Sequence, residues 1–137
     1  MKEFKLIILE SDSTFYSGPC ESLIFPASDG QVGVLADHTN TVAAVEAGTI
    51  VYRAPGGENQ YAAVSQGILK IEDNEVLMLV NSAERPDEID ENRARYEAEK
   101  AKEEMLQKKS RMEYYSAEAT LSRAMSRLKV KNLYGNR

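Results

Sequence analysis

Short apolar runs with frequent turn signals fill the first 84 residues, and apolar positions then recur at helical spacing to the end of the chain. Residues 4–9, 22–25, 31–35, 49–53, 61–64, 68–71 and 76–80 are runs of strand length, rich in Val, Ile, Leu, Tyr and Phe, the residue types that fit a pleated, half-buried surface. Between the last two runs lie Glu72, Asp73, Asn74 and Glu75, a turn of the Asp/Asn kind. Asp29–Gly30 and Pro55–Gly56–Gly57 mark two more. No strand–helix–strand alternation occurs. Many short strands with turn punctuation predict an antiparallel sandwich or flattened barrel.

After Pro86 the period changes. Proline suits the first turn of a helix, and Asp87, Glu88, Asp90 and Glu91 place negative charge at its positive end. Ala94, Ala98, Ala101 and Met105 recur at helical spacing, and so do Tyr114, Ala117, Leu121, Ala124 and Leu128. The polar residues 107–110 between the two stripes form the natural bend, although neither Gly nor Pro enforces one. The reading is all-β plus α: a flattened antiparallel sandwich over residues 1–84, then an antiparallel two-helix hairpin over residues 85–137. A single uninterrupted helix satisfies the second pattern as well. Alanine seams bury little area, about 0.8 kcal/mol per methylene, and short isolated helices are marginal in water. The helical segment therefore depends on the sandwich, a ligand or a partner, and reads as a movable element.

Composition sharpens this division. All 4 prolines and 7 of the 8 glycines lie at or before residue 86. Residues 1–84 carry 4 basic and 12 acidic side chains, whereas residues 85–137 carry 13 basic and 10 acidic ones. The net charge of -5 argues against a general nucleic-acid binder. The longest apolar runs, residues 6–9 and 76–80, fall far short of the ~20 residues a membrane span requires, and the start of the chain has no signal-peptide core. One cysteine, Cys20, cannot form an internal disulfide, which points to a reducing compartment. The expectation is an intracellular chain that does not span a membrane.

Catalytic signals are sparse. There is no phosphate-loop pattern for triphosphate hydrolysis and no Cys/His cluster with metal spacing. His38 beside Asp37 is a weak base candidate, since adjacent side chains rarely aim at a common target. The informative cluster is cationic. A hairpin bent near residue 109 brings Arg93 opposite Arg123 and Arg127, which share one helix face, with Lys100 further along. Asp90 can pair with Arg93 and fix its fork. Converging cations repel one another unless an anion joins them, and a nucleotide phosphate chain would do so. The plainer alternative is a set of solvated faces salt-bridged to acidic residues of the same segment. Residues 105–137 carry 8 basic and 2 acidic side chains, consistent with solubility or with an arm seeking an acidic surface.

Taken together, residues 30–38 (GQVGVLADH), the Gly48-Thr49-Ile50 step and residues 64–69 (VSQGIL) resemble the sandwich of the epsilon subunit of F-type ATP synthases. Residues 89–94 (IDENRA) resemble that family's I/L-D-x-x-R-A nucleotide motif, and residues 121–130 (LSRAMSRLKV) its terminal helix. The resemblance implies a ten-stranded sandwich followed by a two-helix domain. It also implies a non-catalytic place in the central rotor stalk, against the gamma subunit and the c-ring, on the cytoplasmic face of a bacterial membrane. There the family couples ion (proton) translocation to ATP synthesis and restrains ATP hydrolysis when its helices extend toward the catalytic alpha and beta subunits. ATP is implied as a regulatory ligand of the folded hairpin, with Glu84, Asp90, Arg93, Lys100, Arg123 and Arg127 as contacts and no metal. Lys100 stands where related binders can have Arg, keeping the charge without the bidentate fork. Gln31 and His38 are implied rotor contacts, in a loop that departs from the family: Ala36 replaces a common proline and Asp37 a glycine. The alternatives are a stand-alone nucleotide-sensing module and, with little else behind it, an enzyme using Asp37 and His38.

Overall fold

The computed structural model describes residues 2–11, 13–107 and 110–135. The strand half folds as two five-stranded sheets. The first has the order β2 (Ser13–Cys20), β1 (Phe4–Glu10), β9 (Glu75–Val80), β8 (Gly67–Glu72), β5 (Thr41–Val45). The second runs β10 (Ala83–Glu84), β7 (Gln60–Val64), β6 (Gly48–Arg53), β3 (Ser22–Ala27), β4 (Gly30–Leu35). Neighbours are antiparallel except β1 and β9, which run parallel with Leu6 beside Val76 and Ile8 beside Met78. That one parallel pair qualifies the antiparallel expectation.

The alternation of each strand fills the space between the sheets. Leu6 and Ile8 of β1, Leu23 and Phe25 of β3, Ile50 of β6, and Leu69 and Met78 of β8 and β9 are fully buried, as side chains two apart on a strand share a face. Cys20 is also buried there, its thiol pushed up by burial, so it is an inert packing residue. The β8–β9 turn forms as expected: Asp73 and Asn74 have φ of 51° and 64°, the paired left-handed geometry of a two-residue hairpin.

β10 leads into a 3-10 turn at Pro86–Glu88, then α1 (Glu91–Gln107) and α2 (Arg111–Tyr134). Arg85 fixes the exit from the sandwich. Its guanidinium donates to the Phe15 carbonyl at 2.9 Å and lies 4.2 Å over the Phe15 ring. The helices pack on each other as a hairpin, burying Ala94, Ala98 and Ala101 of α1 and Ala117 and Ala124 of α2. Of the expected bend, Lys108 and Lys109 lie outside the described residues. At Ser110 the backbone is extended, and the hydroxyl accepts from the Glu113 N–H at 3.0 Å. This cap starts a new helix. Ser110→Ala should cost the bent form about 1 kcal/mol and shift paired spin labels on α1 and α2 toward longer separations. An unchanged distance distribution would show that the cap does not hold the bend.

The hairpin folds back onto the sandwich, with α2 running against β7 and β6. Val130 joins Ala63 of β7 and Ile89 in a small buried cluster separate from the main core. Tyr134 extends it by stacking on Tyr61, with ring centroids 3.7 Å apart and planes 7° from parallel. Lys131 Nζ donates to the Pro86 carbonyl at 3.3 Å.

Candidate functional site: a cationic groove on the hairpin

A groove of 630 Å³ runs along the hairpin between α1 and α2, with buried Ala101 among its lining residues. Its charged lining comprises Arg93, Lys100, Arg123 and Arg127 with Glu97 and Glu104. The helical spacing of the sequence explains the convergence. Arg93, Glu97, Lys100 and Glu104 step along one side of α1 at intervals of four, three and four, and Arg123 and Arg127 are one turn apart on α2. Arg93 and Arg127 thus reach one groove, as the antiparallel bend requires.

The cations do not sit there uncompensated. Arg127, three-quarters buried, donates from Nε to Glu84 Oε1 at 2.5 Å and from Nη1 to Glu97 Oε2 at 3.1 Å. Arg93 donates from Nε to the other Glu97 oxygen, Oε1, at 3.1 Å. Since Glu84 belongs to β10, Arg127 also ties the hairpin to the sandwich. Arg123 donates to the Thr120 hydroxyl at 3.2 Å. Among the described residues, neither Arg123 nor Lys100 makes an ion pair. These two are the cations of the groove left uncommitted to a carboxylate.

Asp90 has a different partner from the one expected. Its carboxylate accepts the backbone N–H of Arg93 at 3.1 Å, and its carbonyl accepts from Ala94 N at 3.0 Å. Asp90 therefore caps α1 rather than holding the Arg93 fork, which goes to Glu97. Each fixed position of the Ile89–Ala94 motif thereby has a structural role. Ile89 anchors the cluster on β7, Asp90 caps, Arg93 lines the groove and Ala94 is buried in the helix seam.

Glu97, Tyr96, Thr120 and Glu104 also line the groove and lie outside the expected contacts. Glu97 was findable: it stands four residues after Arg93, the spacing at which opposite charges meet on a helix. Elsewhere, Asp37 and His38 form no dyad. Asp37 pairs with Lys2 at 3.4 Å, whereas His38 Nδ1 meets the Thr39 carbonyl at 2.8 Å. Gln31 and His38 lie at opposite ends of β4, Gln31 near its start and His38 beyond its last residue. Among the described residues, no group of His, Cys, Asp and Glu side chains could hold a metal ion.

Two family models divide the chain between them. The model described as ATP synthase, Delta/Epsilon chain, beta-sandwich domain matches residues 3–86, and that described as ATP synthase, Delta/Epsilon chain, long alpha-helix domain matches residues 87–132. The chain belongs to the ATP synthase delta/epsilon family. The ATP synthase epsilon chain of Ruminiclostridium cellulolyticum is 42% identical over 132 residues, covering 96% of this chain and 98% of the relative. That of Caldanaerobacter subterraneus subsp. tengcongensis is 39% identical over 134 residues, covering 97% and 96%. A chain in the cryo-EM structure of the Euglena gracilis mitochondrial ATP synthase superposes with a TM-score of 0.80, covering 93% of this chain and 79% of that one. At 22% identity it speaks for the fold alone.

The Asp37 loop of this delta/epsilon chain is held by local contacts. Asp37 adopts φ 62°, the left-handed conformation that glycine takes freely and that Asp tolerates better than most residues. The Asn74 side chain accepts the Asp37 N–H at 2.7 Å and donates to the Glu3 carbonyl at 3.0 Å, pinning the loop.

Proposed function

We propose that this chain is a non-catalytic rotor subunit of an F-type ATP synthase whose helical segment, residues 85–137, is a nucleotide-controlled switch. The observation that carries the reading is the pairing of two features on one element. The folded hairpin gathers four cations into one groove, and it meets the sandwich through a small apolar cluster, the Tyr61–Tyr134 stack and the Arg127–Glu84 pair. Glu84, Asp90, Arg93, Lys100, Arg123 and Arg127 form the site. Arg123 and Lys100 meet the phosphates first, Asp90 acts through its cap, and Glu84 acts through Arg127. ATP is a regulatory ligand of the folded form. At 100 times its dissociation constant it would favour that form by roughly 2.7 kcal/mol, comparable to what burying one Val or Leu contributes. When ATP falls, the basic segment extends toward the alpha and beta subunits and restrains hydrolysis.

Docking on the gamma subunit and c-ring falls to the sandwich. The outer face of the first sheet supports this, because Val42, Ile68 and Leu79 are exposed and Ile68 lies beside Leu79 in the register. Exposed apolar side chains gathered on one sheet face suit an interaction site, which a stand-alone nucleotide sensor would not need. Gln31 and His38 extend the rotor contact at the ends of β4. Among the described residues, no helix is long and apolar enough to cross a membrane, which fits a peripheral place at the cytoplasmic face, held there by the complex that couples ion flow to ATP synthesis.

Titration of the full chain with ATP, followed by hydrogen exchange across α1 and α2, should show saturable protection at millimolar concentration. Arg123→Ala should weaken it. In the assembled complex, deleting residues 87–137 should raise ATP hydrolysis and leave rotor assembly intact. A flat titration would remove ATP from the reading, and loss of assembly would reassign the docking surface.

A further inference from the structure

Glu97 occupies an unusual position for a surface carboxylate. Each of its two oxygens goes to a different arginine of the groove, Oε1 to Arg93 Nε and Oε2 to Arg127 Nη1, both at 3.1 Å. The two arginines come from different helices, so the carboxylate bridges the hairpin much as a phosphate group would. It is nearly three-quarters buried, and the guanidinium hydrogen bonds it takes are of the charge-assisted kind. The anion that converging cations require is therefore already present, supplied by α1 itself.

We infer that Glu97 is a resident substitute for a ligand phosphate, so that nucleotide binding to this groove is an exchange of anions and Glu97 raises the ATP concentration the hairpin needs. The inference rests on the reading of the groove as a triphosphate site. A phosphate chain arriving at Lys100 and Arg123 takes over the Arg93 Nε and Arg127 Nη1 donors by displacing the Glu97 carboxylate. Arg127 keeps Glu84 throughout, which preserves its tie to β10 while the other half of its fork changes partner. The carboxylate holds the two helices in the geometry a phosphate would later hold. Glu104 provides the internal comparison, since it lines the same groove and, among the described residues, makes no ion pair with an arginine.

The test is calorimetric titration of ATP into the full chain and into Glu97→Gln and Glu104→Gln, with hydrogen exchange of the ligand-free proteins. Both variants remove one negative charge from the groove, and only the first removes the bridge. Glu97→Gln should bind ATP roughly two- to fivefold more tightly than the unaltered chain, the scale of a partly exposed ion pair, and by a larger factor than Glu104→Gln. Its ligand-free helices should exchange faster. A merely structural Glu97 gives the opposite sign, because a loosened hairpin binds ATP more weakly. Unchanged or weaker binding in Glu97→Gln, or an equal gain in Glu104→Gln, overturns the exchange while leaving the triphosphate reading standing. If none of the three proteins binds ATP, both fall.

Discussion

Gly67→Ala should strongly destabilise the sandwich. A Cβ at this position would stand 1.9 Å from the Leu79 carbonyl oxygen and 2.8 Å from Val80 Cα. Those atoms belong to the backbone of β9, so no side-chain rotation relieves the clash. Gly67 pairs with Val80 on one side and Val45 on the other, and separating either pair breaks the first sheet between central strands or at its edge. Overpacking that can shift side chains typically costs 1–3 kcal/mol; displacement of backbone puts the expected loss at about 3 kcal/mol or more, a large part of a normal domain's stability. Urea denaturation reads it as a lowered midpoint. Gly33→Ala is the control, since nothing lies within 4 Å of the added Cβ, and its midpoint should stay within about 0.5 kcal/mol of the parent. Equal midpoints for all three proteins would show that β9 can yield at Leu79.

Val130→Asp should release the hairpin while leaving the sandwich folded. Val130 is fully buried between α2 and β7 in a cluster whose other buried members are Ala63 and Ile89. Burying a valine contributes roughly 1.5–3 kcal/mol, whereas burying an unpaired carboxylate costs several kcal/mol. The substitution thus exceeds what the docking contact supplies, and undocking exposes the aspartate to water. The main core is untouched, since among the described residues none beyond Ala83 belongs to it. Hydrogen exchange should accelerate across α2 and at the Tyr61 end of β7 and remain slow in β1, β8 and β9. Uniform acceleration would mean that the helices and the sandwich unfold as one unit. The Tyr61–Tyr134 stack gives a second readout in tyrosine fluorescence, which changes when the rings part.

The strands legible in the chain are the ones with partners on both sides or with strong apolar runs, such as β1, β8 and β9. Three others escape pattern reading: β2, β5 and β10, and all three lie at sheet edges. β2 contains Gly18 and Pro19, which read as punctuation yet are tolerated where one side of the strand lacks a sheet neighbour. β5 carries two alanines, weak strand formers, and takes its conformation from pairing with β8. β10 is two residues long and owes its pairing to β7. The parallel register of β1 and β9 is also invisible locally, because it depends on how the two sheets close. On the hairpin, the cation spacing was legible from the helical period. The capping role of Asp90 and the second bond of Glu97, across to Arg127, were not, because one depends on which donor the carboxylate takes and the other on how the two helices pack. Ser110 with Glu113 was a cap signature in plain view, more telling than the missing glycine and proline.

The parallel pairing of β1 with β9 has a consequence for the order in which the molecule is made. Of the described strands β1 is made first and can join β2 at once, but its other neighbour is synthesised some seventy residues later, Lys5 meeting Glu75 and Glu10 meeting Val80. Contacts so distant in sequence are slow to form, and β1 presents an open edge until Val80 has emerged. The helices follow the strands, and among the described residues they contribute none to the main core. The nascent chain can therefore finish its sandwich first, and α2 then settles on a surface already in place.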